Sequence, residues 1–348
     1  MKKTENFVAI FVPNYQKIFS ISQKNVFLCD VFRNVVMISR RLLRIKILQI
    51  LYAHFNTENP GIVKPEKDLV FSIQKGYDLY LYLLLLIIAI KRFAESRIEL
   101  ARNKKLPTYE DLHPNTRFVE NEVILQIEES SALNQYISER KLSWVNHPEL
   151  IKNLYVKLVE SPYYQEYMNR TTSGYTDDRQ LLIDFYTSEL EECDMFYDIL
   201  EEQSIFWNDD IEFMVSMAIK TVNELRPGKT NLLPLYKSDE DREFAFTLLR
   251  KTIEHHDEYR KMIEEYVDNW DIERVAQIDN LIMQMAINEL IEFPSIPVKV
   301  TFDEYLELAK YYSTPKSSVF INGLLDKISA DLTEKGLIAK MGRGLLTE

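Results

Sequence analysis

Glycine is scarce in this chain, with only eight in 348 residues. Phosphate-cradling loops and turn-rich β architectures depend on residues that tolerate positive φ and close backbone approach, so the scarcity argues against nucleotide-binding α/β folds and β-sandwiches. Cysteine is scarcer still. Cys29 and Cys193 have no metal-ligand spacing and form no disulfide framework, which fits a reducing cytoplasm. Positive charge is in deficit, with 42 Lys and Arg against 54 Asp and Glu for a net charge of −12, so any contact with nucleic acid must come from a local cluster. There is also no apolar run long enough for a bilayer. The longest, Leu79 to Ile90, spans about 18 Å as a helix against roughly 30 Å of hydrocarbon, and reads as a buried helix with no membrane contact.

What remains is helix-forming material. Hydrophobic residues make up 46% and charged residues 28%, with Leu, Ile, Glu and Lys recurring in long stretches, so the expected class is all-α. Catalysis has no visible address. Arg226-Pro227-Gly228-Lys229-Thr230 ends like a phosphate loop, but the first glycine that motif needs would fall at Asn223, and no strand pattern precedes it. His255 and His256 are adjacent, so on a helix they diverge by about 100° and cannot share a metal. The sequence contains no Ser/His/Asp elbow, Cys/His pair or converging carboxylates. The chain therefore reads as a non-enzyme without cofactor or metal.

In chain order, residues 1–36 match nothing that follows. The run Phe7 to Val12 is stopped by Pro13 and lacks a small-residue cleavage site, while Met37 stands directly before an amphipathic helix. Residues 1–36 are thus expected to be a read-through or disordered extension, with Met37 the true start. Ser39 to Phe55 is the next informative stretch. Arg40, Arg41 and Arg44 fall within about 100° of one another and make one cationic face, while Leu42, Ile45, Leu48 and Tyr52 belong to a wide apolar surface and Lys46 points elsewhere. A solvated core helix and a phosphate-binding face both fit this pattern, since guanidinium groups bind phosphates bidentately and stack on bases.

Asn59 to about Pro65 reads as a linker and Asp68 to Asn103 as a long helix. Leu106 to Pro114 reads as a loop, and Asn121 to Val145 as a helix with Trp144 in the core. A helix from Pro148 should stop near Ser161-Pro162, and another runs from Asp177 to Trp207. Between Gln180 and Ile219 there are eleven Asp and Glu and no Lys or Arg, either a solvated face or a docking surface for a basic protein. Ser238 caps a helix from Asp239 to about Tyr266.

Three further patterns follow. Ile278, Leu281, Ile282, Met285, Ile287 and Leu290 give a helix ending near Phe293, before Pro294 and Pro297. Thr301 and Glu304 have the spacing of a capping box for a helix over Asp303 to Tyr312. Thr314-Pro315 starts a third helix with an apolar stripe of Val319, Phe320, Leu324, Leu325 and Ile328. Gly323 lies inside that stripe, which implies close approach by a neighbouring helix or ligand.

Val275-Ala276-Gln277-Ile278-Asp279, Ala286-Ile287-Asn288-Glu289-Leu290, Pro297-Val298-Lys299-Val300, Glu304 to Lys310 and the block Val319-Phe320-Ile321-Asn322-Gly323-Leu324-Leu325-Asp326-Lys327-Ile328 resemble, in order and spacing, the C-terminal half of the bacterial NusB antitermination factors. Arg40-Arg41-x-x-Arg44 with Gln49, Leu51 and Tyr52 resembles their arginine-rich first helix. The resemblance covers Ser39 to about Phe55 and about Ser238 to Leu332, and implies two helical bundles. It gives an enlarged N-terminal helical region over 37–235 that includes the arginine helix 39–55, a NusB-like domain over 236–335, and a flexible tail over 336–348. It also implies binding of a boxA-like single-stranded RNA together with NusE, a small-subunit ribosomal protein, within an RNA polymerase antitermination complex. RNA contacts carried over by position are Arg40, Arg41, Arg44, Gln49, Tyr52, Tyr312, Lys316 and Phe320. Asp279 and Lys316 are carried over as partner contacts. Lys316 departs from the acidic residue common in relatives. Two other readings stand beside this one: a protein-binding scaffold using the acidic 180–219 face, and an RNA-targeting module for rRNA processing. Intact mass of the native protein checks the start site; a mass that includes Met1 to Val36 removes the Met37 expectation.

Overall fold

The computed structural model describes residues 39–57, 63–172, 174–191, 193–236, 238–267, 276–314 and 316–345, so the expectations for 1–36 lie outside the described residues. Among these residues there are fifteen α-helices and no strand, only an isolated bridge between Arg226 and Lys229. The all-α expectation is met.

The chain divides into two units. One contains Gln74–Leu235 and the other joins Ile38–Ile73 to Tyr236–Glu348, so the arginine helix groups with the C-terminal helices and not with residues 74–235. The second unit starts with α1 (Arg40–Phe55), and α2 (Val63–Arg102) belongs to it as far as Ile73.

From Gln74 onward, α2 is the centre of the first unit. Leu79 to Ile88 and Ile90 are buried, which explains the hydrophobicity of the helix by core packing. Tyr82 stacks on Trp144 at 3.8 Å, and the indole N–H donates to the Tyr82 carbonyl at 2.9 Å, so Trp144 is a core residue as expected. Around α2 lie α3 (Tyr109–Leu112), α4 (Glu122–Glu128), α5 (Ser131–Arg140), α6 (Pro148–Glu160), α7 (Pro162–Asn169), α8 (Tyr175–Ser188), α9 (Asp194–Gln203) and α10 (Ile211–Glu224). Three expectations change here. The helix expected over 121–145 is two, because Ser130 accepts from Leu133 N–H and caps a new start. The helix expected over 177–207 breaks between α8 and α9, and the loop expected over 106–114 holds α3, closed by a Thr108/Asp111 capping box.

In the second unit, α11 (Asp239–Glu254) and α12 (His256–Tyr266) replace one expected helix, with the break at His255 and the Ser238 cap in place. Then come α13 (Gln277–Glu292), α14 (Val298–Tyr312) and α15 (Ser317–Glu334). The expected Thr301/Glu304 box does not form. Helix α14 starts at Val298 behind Pro297, and both side chains are drawn into tertiary contacts described below. The third helix starts at Ser317, later than expected. The segment after α15 folds back: Lys340 Nζ donates to the Phe293 carbonyl at 3.1 Å, Met341 N–H donates to Pro294 O at 2.9 Å, and Gly342–Leu345 form a 3-10 turn. Burial beside that carbonyl lowers the Lys340 pKa to about 8. A Cβ at Gly344 would lie 1.9 Å from Pro294 O, so only glycine fits under the strap.

Gly323 is the opposite case. It is exposed, a Cβ there would meet nothing within 4 Å, and no neighbouring helix among the described residues makes the close approach expected of it. Gly323→Ala should therefore stabilise the protein by about 1 kcal/mol through helix propensity alone, measured by urea unfolding. A loss of stability would point to a contact at that face.

Candidate nucleic-acid interface and its ion-paired support

Ser39 accepts from Leu42 N–H at 3.3 Å and starts α1 one residue before the first arginine. The three arginines then point at carboxylates contributed from more than 200 residues away in sequence. Arg44 is 2% exposed; its Nε and Nη2 each lie 2.8 Å from the Glu289 carboxylate, and its Nη1 lies 3.3 Å from Glu304. Arg41 makes a two-pronged bond to the same Glu304 at 3.0 and 2.9 Å. Arg40 Nε reaches Asp241 at 2.7 Å. Phe244 lies beneath the Arg40 and Arg44 guanidiniums, at 5.0 and 5.2 Å from ring centroid to Cζ.

Glu289 is the centre of this network. It is wholly buried on α13 and accepts from Arg44 twice, from Thr301 Oγ1 at 3.0 Å and from Tyr305 OH at 3.1 Å. Each carboxylate oxygen takes two bonds, which is the condition for holding a charge away from water. The adjacent carboxylates raise the Arg44 and Arg41 pKa values further, although desolvation opposes them, so both stay charged. Burial and the Glu289 charge drive the Tyr305 phenol well above its usual range, which keeps it a neutral donor.

The arginine face is therefore graded. Arg44 lies inside, almost wholly buried. The side chains of Arg40 and Arg41 remain 29% and 33% exposed, each using one edge on a carboxylate. Lys46, expected to point elsewhere, is 1% exposed with its Nζ 3.2 Å from Ser72 Oγ. Gln49 and Tyr52 follow on the same helix and are half-buried.

The remaining nominated residues gather at the start of α13 and the turn from α14 to α15. Tyr312 ends α14, Lys316 is the exposed residue before α15, and Phe320 is half-buried one turn on. Asp279, in the first turn of α13, is 5% exposed and accepts from Ser317 Oγ at 2.8 Å. Its other oxygen is buried without a hydrogen-bond partner among the described residues. Asp279 thus pins the start of α15 instead of facing outward. The two groups lie toward opposite ends of α13, since ten residues separate Asp279 from Glu289, about 15 Å of helix. Helix α1 runs against α13 in the opposite sense: Arg44 meets Glu289, while Phe55 stacks on His256, which bonds Gln284. Gln49 and Tyr52 therefore lie on the stretch of α1 that leads from the arginines toward the Asp279 end. Among the described residues, no three His, Cys, Asp or Glu side chains gather as a metal site.

Sequence reasoning missed Glu289, Thr301, Tyr305 and Asp241. A signal for the first was present, a carboxylate inside the apolar run Ala286 to Leu290. Removing one member of a buried pair costs about 3–5 kcal/mol, whereas replacing both by apolar groups is often neutral. Glu289→Gln and Arg44→Met are each expected to lower stability by that amount in urea unfolding, with Arg44→Met/Glu289→Met recovering most of it. A double variant as unstable as the singles would show that the pair is not the unit that matters.

Comparison with known proteins places the C-terminal part of the chain in a family. Residues 209–330 match the family model described as the NusB family, a span that includes Glu289 and Glu304 but not α1. A transcription antitermination protein NusB of Salinibacter ruber is 44% identical over 114 residues, 33% of this chain and 71% of that relative. Namesakes from Chloroherpeton thalassium and Thermodesulfovibrio yellowstonii are 38% and 44% identical over 30% and 26% of this chain, and the match spans 50% and 60% of their lengths. No solved structure matches. With more than two thirds of the Salinibacter relative covered at that identity, the chain belongs to the NusB family.

Proposed function

We propose that this protein is a non-enzymatic, cytoplasmic transcription antitermination factor that binds a boxA-like single-stranded RNA together with NusE and helps RNA polymerase read through terminators. The observation that carries the reading is the graded arginine face of α1, where Arg40 and Arg41 keep unused N–H donors toward solvent while Arg44 anchors the helix behind them. The proposed RNA strip runs from Arg40 and Arg41 past Gln49 and Tyr52, with Tyr312, Lys316 and Phe320 at the far end. Tyr52, Tyr312 and Phe320 supply rings for bases, each stack being worth about 1–3 kcal/mol. Arg44 and Asp279 serve by positioning α1 and the start of α15.

Three arginines face Asp241, Glu289 and Glu304, so the cluster carries no net charge. Long-range attraction of RNA is accordingly weak, and affinity has to come from short-range bidentate bonds, stacking and the partner protein. On this reading NusE supplies affinity that a chain of charge −12 lacks alone.

Binding of boxA-like RNA by the full chain with NusE, measured across a salt series, tests the reading. Each phosphate contact contributes a slope of about −0.7 for single strands, so Arg40→Ala/Arg41→Ala should flatten the slope by up to about 1.4 and weaken binding. Arg44→Met should appear in the melting temperature first. An unchanged slope in the Arg40/Arg41 variant removes those residues from the site.

A further inference from the structure

Within the Gln74–Leu235 unit, α2 is buried as far as Ala94 and then leaves the core, with most side chains from Glu95 to Lys105 in solvent. Its tip is both apolar and cationic. Leu100, Leu106 and Tyr109 are 67%, 90% and 77% exposed, and Arg97, Arg102, Lys104 and Lys105 stand among them. Lys104 pairs with Asp111 at 2.7 Å, whereas Arg97, Arg102 and Lys105 form no ion pair among the described residues. Glu99 and Glu110 flank the group, but no acid lies between Arg102 and Tyr109.

The turn is built, not loose. Thr108 and Asp111 close a reciprocal capping box, and this sets Tyr109 and His113 one helical turn apart, their rings stacked at 4.3 Å with 23° between planes. The ring is held on one side by His113 and remains largely in solvent. Cations at a helix C-terminus are favoured by the helix dipole, which accounts for Arg102 but not for Lys105 beyond the end, nor for the aromatic pair. At a Debye length of about 8 Å, acidic residues elsewhere on the protein do not cancel this patch.

We propose that the α2 tip is a second contact for single-stranded RNA, carried by the Gln74–Leu235 unit and separate from α1. It rests on the reading of the chain as an RNA-binding factor. Tyr109 takes a base on its open face, Arg102 and Lys105 take the flanking phosphates, and Leu106 packs against the sugar or base edge. Stacking on an exposed aromatic face tolerates any base, so the contact adds affinity without adding sequence preference.

The test uses the full chain and fluorescein-labelled oligouridylate, followed by anisotropy across a salt series. Arg102→Ser/Lys105→Ser/Tyr109→Ser changes only exposed side chains, and unchanged circular dichroism verifies the fold. It should weaken binding by about tenfold and flatten the salt slope by about 1.4, while Tyr109→Phe, which keeps the ring, retains wild-type affinity. Wild-type affinity and slope in the triple variant overturn the site, and do so in favour of a protein partner if that variant also loses a protein from a NusE-containing assembly. A wild-type chain that binds no RNA with or without NusE sinks the functional reading itself, which separates that failure from failure of the tip alone.

Discussion

The second unit depends on one buried contact, the two-pronged bond between Arg44 and Glu289. Moving an ion pair out of water costs several kcal/mol per charge unless further hydrogen bonds complete both shells. Here Thr301 and Tyr305 complete the carboxylate and Glu304 takes a third guanidinium nitrogen, so α1, α13 and α14 are fixed by a single set of donors and acceptors. Apolar packing alone would allow α1 to slide or rotate in its groove. Directional bonds select one register, and that register is what leaves Arg40 and Arg41 at the rim.

The same arrangement separates two tasks usually assigned to one arginine cluster. Arg44 spends its donors inside, so it cannot serve a phosphate without unpairing Glu289. Arg41 shares Glu304 with Arg44, which couples rim to core: a phosphate that drew Arg41 away would leave Glu304 to Arg44 alone. Binding at the rim and stability of the helix junction are therefore linked through one carboxylate.

Helix identity was legible wherever apolar residues recurred at helical spacing and punctuation was chemical. The helix ending at Phe293, the Ser238 cap, the Pro148 start and the buried centre of α2 all follow from local rules. Interruptions without Gly or Pro were not legible, since nothing in the sequence around His255 or Ser130 forbids continuing the helix. The failed capping box has a different cause. Thr301 and Glu304 have the right spacing, but buried partners compete for both side chains and win over a local backbone bond worth about 1 kcal/mol. The arginine face was visible as a pattern. What it faces was not, because the matching carboxylates lie more than 200 residues away.

That separation also explains how one unit is assembled from two distant stretches of chain. The cost of closing a loop grows only logarithmically, about 0.6 kcal/mol for each doubling of length, so the connection between α1 and α11 costs only about 1–2 kcal/mol more than one several-fold shorter if the connecting chain contributes nothing. Residues Gln74–Leu235 do contribute, for they hold a core of their own around α2. The buried pair then closes the long connection, and a loss of about 3–5 kcal/mol on breaking it exceeds the entropy of the longer loop. So long a connection is thus tolerated because the junction is held by contacts across the fold and not by a short link in the chain.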